Sequence, residues 1–263
     1  MKTVFYKIKC ITNMHAGTGE ANYSIVDREV ARDEVTGYPM IHSSGIKGAL
    51  RAAYIKTEGE EAAKEIFGAE GSGNAGYPGT HKFLDALLIS RPMRVYKSEK
   101  SPFLPTVSEA SVNQYLEMLS VFGKNHYGIE KLPDIDFGEN LFLTNLEEDV
   151  RVEGEPTGKL SGEVLGQFKK LADVLGENFA VAKTFDGYDL PVFSRTRLKE
   201  GKTGMRFWYE EAVPHESVFF FGVIYPDDAE EMDMPSIVQI GGNTSTGCGF
   251  VKITRLGEDE SNG

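Results

Sequence analysis

The chain has no run of roughly eighteen or more apolar residues, the length a membrane-spanning helix needs. Its N-terminal MKTVFYKIKCITNMH alternates apolar and polar residues, and so lacks the apolar core and small-residue cleavage site of a secretory signal. A cytoplasmic protein is expected. Cysteine is scarce: Cys10 and Cys248 are the only two, they lie at opposite ends of the chain, and they form no CxxC pair. A disulfide framework and a cysteine zinc site are therefore unsupported, and both are expected to be small buried hydrophobes. Positive charge is also short, with 28 Lys and Arg against 40 Asp and Glu and a formal net charge of −12. Coating nucleic acid by bulk charge is excluded, because non-specific affinity comes from neutralising phosphates. Any RNA contact has to be local. No GxxxxGK[ST] phosphate loop occurs, and Gly71, Gly73 and Gly76, which match GxGxxG, follow a helix and run into Pro78 instead of joining a strand to a helix.

What is present is a chain of 263 residues with 40% apolar and 11% aromatic content, enough for one large core with inserted loops. Residues 3–12 alternate Val4, Tyr6, Ile8 and Cys10 with Phe5, Lys7 and Lys9, the period of a half-buried strand. Residues 13–42 carry glycines and charges without periodicity, and a loop this long inside a compact domain is usually functional or disordered. Ser43 and Ser44 precede Ile46, Ala49, Leu50 and Ala53 at helical spacing, so a serine is expected to cap the first turn. Further helices are predicted over 108–122 and 161–175. Strands are predicted over 83–89, 140–144, 189–198, 205–210, 217–225 and 248–254, with Lys199–Gly204 as a hairpin turn. The class is α+β, without internal repeats.

Two segments have the chemistry to hold a phosphate. In IGGNTSTGCGF, residues 240–250, glycines let backbone N–H groups approach an anion without Cβ interference, and the hydroxyls add donors; a tight turn leading into a strand is the equal competing reading. In TGYPMIHSSGIKGALR, residues 36–51, a helix N-terminus supplies N–H groups, and Lys47 and Arg51 lie one turn apart on the same side.

TGYPMIHSSGIKGALR resembles the TGxPxIPGSSLKGxLR signature of the repeat-associated (RAMP) CRISPR proteins, and QIGGNTSTGCGFVKI resembles their C-terminal glycine-rich loop. HAGTGEANYSIVDREV, RTRL and WYEEAVP resemble the backbone subunit of the type III-B (Cmr) complex. The sequence departs from the pattern at His42-Ser43, where the family has Pro-Gly, at Gly45, where it has serine, and at Ala212, where a tyrosine is frequent.

The resemblance implies a ferredoxin-like, RRM-derived RAMP fold with insertions: a catalytic loop, a lid and a β-hairpin thumb. It implies one domain over 1–256 with inserted loops at about 13–42 and 68–105, and a disordered acidic tail at 257–263. Copies of such a subunit stack along a CRISPR guide RNA with other subunits of the complex. The thumb, expected either around Lys199–Gly204 or within 80–105, opens the guide–target duplex at regular intervals, and single-stranded target RNA is cut beside it. The resemblance puts the cutting aspartate at Asp27, with a divalent cation, Mg2+, bound there and the 2′-hydroxyl of the flipped nucleotide as nucleophile. Asp27 can anchor the metal or take the proton, and sequence does not separate these roles. His15, Glu210 and Glu211 are the further catalytic candidates; neighbouring residues on a strand face opposite ways, so only one glutamate is expected to reach the site. Ser44, Lys47 and Arg51, with Gly241, Gly242, Asn243, Thr244 and Thr246, are the RNA-binding candidates. The alternative is a backbone subunit that holds RNA without cutting it. A guide-processing nuclease of the same superfamily is disfavoured by the acidic balance and by Asp27.

Overall fold

A computed structural model describes residues 1–17, 26–69, 76–98, 101–198 and 205–257. The predicted turn at Lys199–Gly204, most of the predicted acidic tail and part of the 68–80 glycine segment lie outside these residues. The chain divides into two compact units, one of Met1–Ala86, Asp189–His215 and Phe221–Leu256, the other built from Leu87–Tyr188 and Glu216–Phe220. The secondary structure is α+β.

In the first unit the strand Lys2–Cys10 lies antiparallel to Phe250–Arg255, with Ile8 opposite Ile253 and Cys10 opposite Val251. Ile237–Gln239 adds to the far side of Phe250–Arg255. The predicted alternation of the first strand holds except at Phe5, which is buried along with Val4 and Tyr6. Both faces are covered there, so the polar-outward face begins only at Lys7. The helix Ser43–Glu58 buries Ile46, Leu50 and Tyr54, a stripe of period four. Its N-cap is His42, without a side-chain capping bond, so neither serine caps it. A second helix, Glu60–Phe67, follows after Gly59, whose φ of +89° breaks the first. Val192–Leu198 and Met205–Glu211 form an antiparallel hairpin, with Arg195 opposite Trp208 and Phe193 opposite Glu210.

In the second unit Ala86–Tyr96 runs antiparallel to Phe103–Ser108, which pairs in parallel with Ala180–Ala182. The path continues through Phe142–Thr144, Glu155–Lys159 and Arg151–Val152, and Arg151–Val152 pairs back onto Val95 and Tyr96 of the first of these strands. The strands thus close into a ring. The helix predicted over 108–122 spans Glu109–Val121 and is capped by a reciprocal pair: the Ser108 side chain accepts from the N–H of Ser111, and the Ser111 hydroxyl accepts in return from the N–H of Ser108. The predicted 161–175 helix is split into Gly162–Lys169 and Ala172–Leu175.

Candidate active site

From residue 26 on, the segment after the first strand is docked on the root of the hairpin. The Arg28 N–H donates to the Tyr209 carbonyl at 3.2 Å, and the Glu211 N–H donates to the Arg28 carbonyl at 2.9 Å, making a parallel bridge between Arg28 and Glu210. Ala31 and Met40 continue the pairing, the first donating to Ala16 at 2.7 Å and the second to Ala31 at 2.9 Å. Side chains alternate along extended backbone, so Arg28, Trp208 and Glu210 share one side of this strand root, and Asp27, Tyr209 and Glu211 share the other.

Asp27 is exposed. Its Oδ2 accepts the backbone N–H of Tyr209 at 2.8 Å, and Oδ1 has no hydrogen-bond partner among the described residues. Beside it the Tyr209 ring is 40% exposed and meets Phe207 edge-on at 4.9 Å between centroids. Glu211, on the same side, is buried and fully engaged: Oε2 accepts the Val30 N–H at 3.0 Å, and Oε1 pairs with the Arg32 guanidinium.

Glu210 has the opposite environment. It is 2% exposed, and a carboxylate so placed needs partners to offset its lost hydration. Its Oε2 accepts from the Asn243 amide and lies 3.3 Å from Arg195 Nε. Its Oε1 lies 3.5 Å from Arg28 Nη1 and 3.8 Å from His15 Nε2, and has no hydrogen bond of its own among the described residues. The Arg28 guanidinium also sits 5.6 Å from the Trp208 ring centroid. His15 Nδ1 is 2.7 Å from the Glu211 carbonyl, which can only accept, so Nδ1 carries a proton, and the other ring nitrogen, Nε2, is turned toward Glu210.

The glycine-rich loop packs against the same cluster. The Gly242 N–H donates to the His15 carbonyl at 2.9 Å, and at Gly241, with φ of +87°, a Cβ would lie 2.3 Å from that carbonyl oxygen. Asn243, at φ +60°, turns its amide onto Glu210, so one donor expected to face RNA is spent inside the protein. Thr244 and Thr246 are exposed. Cys248 is half-buried, not the buried hydrophobe expected, because its Sγ lies 3.6 Å from Arg195 Nη2 at the edge of the cluster.

The helix start is separate. The N–H of Ser43 donates to the Asp85 carboxylate at 2.6 Å, so a protein anion already occupies part of the predicted anion seat. Ser44 is exposed, Lys47 is half-buried, and Arg51 pairs with Glu60 at 2.8 Å. No hydrogen bond or ion pair among the described residues joins these side chains to the Asp27–Glu210 region. The structure thus gathers Asp27, His15, Glu210, Glu211, Gly241, Gly242 and Asn243, and leaves Ser44, Lys47 and Arg51 apart. Sequence reasoning missed Asp85 and the site roles of Arg28 and Arg195. Arg195 stood out only as the first residue of the RTRL segment, and a lone acid such as Asp85 carries no pattern.

Among the described residues no three His, Cys, Asp or Glu side chains are gathered to cage a metal ion, and no helix is long and apolar enough to cross a membrane.

Residues 7–252 match the RAMP superfamily model. The chain is 25% identical to the CRISPR system Cmr endoribonuclease Cmr4 of Pyrococcus furiosus, over 100% of this chain and 98% of that protein. Among solved structures it is similar to a chain of the type III-B Cmr-beta complex bound to cognate target RNA, with TM-score 0.74, 20% identity and 97% of each chain covered. It is also similar to oligomeric Cmr4 from Pyrococcus furiosus, with TM-score 0.69, 20% identity and 97% and 98% covered. The fold is that of these proteins, and with nearly all of its length inside the family match, the chain belongs to the RAMP superfamily.

Proposed function

We propose that the chain is a guide-RNA-binding backbone subunit of a type III-B CRISPR ribonucleoprotein that cuts its bound target RNA at Asp27. The observation that carries this reading is the state of Asp27: an exposed carboxylate with one oxygen fixed by the Tyr209 N–H and the other without a hydrogen-bond partner among the described residues. Full-length similarity to a Cmr endoribonuclease supports it. Cutting by a 2′-hydroxyl needs an unstacked nucleotide and a group beside it that controls charge. Tyr209 and Phe207 offer exposed rings next to Asp27 on which a displaced base can rest. The open Oδ1 can take the hydroxyl proton or help hold a cation.

The residues present fit a weakly caged ion such as Mg2+, which binds through one carboxylate with waters and phosphates. Asp27 would hold it, and the ion would stabilise charge on the cleaved linkage. Glu211 is held by Arg32 and Val30, so in this reading it fixes the loop. His15 and Glu210 lie on the other side of the strand and support the site from behind.

The finer reading of the fold is a ferredoxin-like, RRM-derived core forming one RAMP domain over 1–256, with Val192–Glu211 as the thumb. The partners are guide RNA, single-stranded target RNA, further copies of the chain and other subunits of the complex, in the cytoplasm.

The alternative is a backbone subunit that does not cut, in which the bond from Asp27 to Tyr209 is the whole role of that residue. Asp27→Asn in the reconstituted complex separates the two. Mg2+-dependent target cutting should disappear while guide binding stays within about twofold of the parent; retained cutting with intact binding sinks the nuclease reading.

A further inference from the structure

The cluster around Glu210 carries more positive charge than it neutralises. One buried carboxylate faces two guanidiniums, Arg28 at 3.5 Å and Arg195 at 3.3 Å, and neither of these cations has a second carboxylate within ion-pair distance among the described residues. Their side chains keep 51% and 33% of their exposure. Arg28 is further held by the Trp208 ring, and its backbone by the bridge to Glu210. The same carboxylate accepts from Asn243, which ties the exposed, glycine-rich turn at 241–247 to the two arginines. A guanidinium whose rotamers are limited by an ion pair and a ring loses less freedom on binding an anion, and its planar fork suits phosphate oxygens.

We propose that Arg28 and Arg195, oriented by Glu210, form a clamp for a backbone phosphate of the guide RNA, on the side of the strand root opposite Asp27. The inference rests on the proposed function and adds to it a division of labour. In that division Asp27, bonded to the Tyr209 N–H, is assigned to the target, and Arg28, one residue along and paired with Glu210, is assigned to the guide. Glu210 is then a positioning residue, not a proton carrier.

The sign of one substitution separates positioning from bulk charge. Glu210→Gln removes a negative charge near RNA, which by simple electrostatics strengthens binding. If Glu210 aims the arginines, the same change weakens it, because both guanidiniums lose their anchor. The experiment measures affinity of the full-length chain for a single-stranded guide RNA, without target, as a function of salt, with a thermal melt of each variant as the folding control. Arg28→Ala should weaken guide binding roughly tenfold, and the slope of log affinity against log salt should fall by about 0.7 per lost phosphate contact. Arg28→Lys should recover only part of the affinity, since an ammonium lacks the fork. Glu210→Gln should weaken binding in the same direction as Arg28→Ala, and Arg28→Ala should add little further loss on top of it.

Tighter binding by Glu210→Gln, or an unchanged salt slope in Arg28→Ala, overturns the clamp. So does a loss confined to target RNA with guide binding intact. If Glu210→Gln does not fold, Arg28→Ala and Arg28→Lys, which alter a half-exposed side chain, decide the matter. Failure of the broader reading looks different: the parent chain itself would then neither hold guide RNA nor cut target in the complex.

Discussion

Asp27 and Glu210 are carboxylates placed around the same strand root, and their surroundings are opposite. Glu210 is buried among two arginines, a histidine and an asparagine, whereas Asp27 is exposed and, among the described residues, has one hydrogen bond, from the Tyr209 N–H. The buried group is held from several sides by the protein itself, through Asn243 and Arg195 at one oxygen and the nearby Arg28 charge at the other. The exposed one keeps an oxygen for a ligand. The acid with more partners is therefore committed to the fold, and the lightly held acid is the one to which the proposed function assigns the chemistry.

The largest expected effect tests that contrast directly. Asp27→Ala should lower the single-turnover rate of target cutting in the assembled complex by about 10²–10⁴-fold, the range for loss of a general base, and leave the melting temperature almost unchanged. Glu210→Ala should do the reverse in kind, because it removes a buried acceptor and leaves the Asn243 amide without its partner: a loss of about 1–3 kcal/mol in denaturant unfolding of the chain. If Asp27→Ala destabilises as much as Glu210→Ala, the contrast collapses. Gly241→Ala tests whether the glycine loop is wedged onto the cluster. It places a Cβ against the His15 carbonyl at a backbone φ of +87°, and should cost about 1–3 kcal/mol in the same measurement.

Ser108→Ala is a smaller change, remote in chemistry. It removes the cap of the Glu109–Val121 helix and should cost about 1 kcal/mol with no effect on cutting. The smallest effect is a pH dependence. His81 is buried against the Tyr225 ring, with Nε2 unpartnered among the described residues. Burial holds its pKa below the ordinary 6.5, although Glu230, Glu65 and Glu231 pull it upward. The unfolded chain then binds a proton more readily than the folded one. The stability His81 gives is full well above pH 6.5 and is lost as pH falls through and below that value. His81→Phe should flatten the decline of the unfolding free energy over that acid range.

Much of the framework was legible from patterns. The first strand, the Ser43 helix, the Ser108 helix and both strands of the hairpin follow from their periodicity, although the serine cap expected for the Ser43 helix is absent. Short strands such as Arg151–Val152 and Ala180–Ala182 were not, since two or three residues hold no period; they are set by the pairing that closes the second unit. At the site, Asp27 and Glu210 were proposed through family resemblance and His15 from its place at the end of the first strand, and their contrasting burial could not be read from either. Burial there depends on a bridge between residues 28 and 210, far apart in the chain. Asp85 at the helix start was invisible for the same reason.

The bond from Asp27 to the Tyr209 amide has one more consequence. That N–H lies at the rim of the hairpin and has a side-chain carboxylate, not a ladder partner, as its acceptor. Its hydrogen can exchange with water only while Asp27 is undocked. The Tyr209 amide is thus a clock at a single position, and its exchange rate in free and RNA-loaded protein reads how long the carboxylate stays seated.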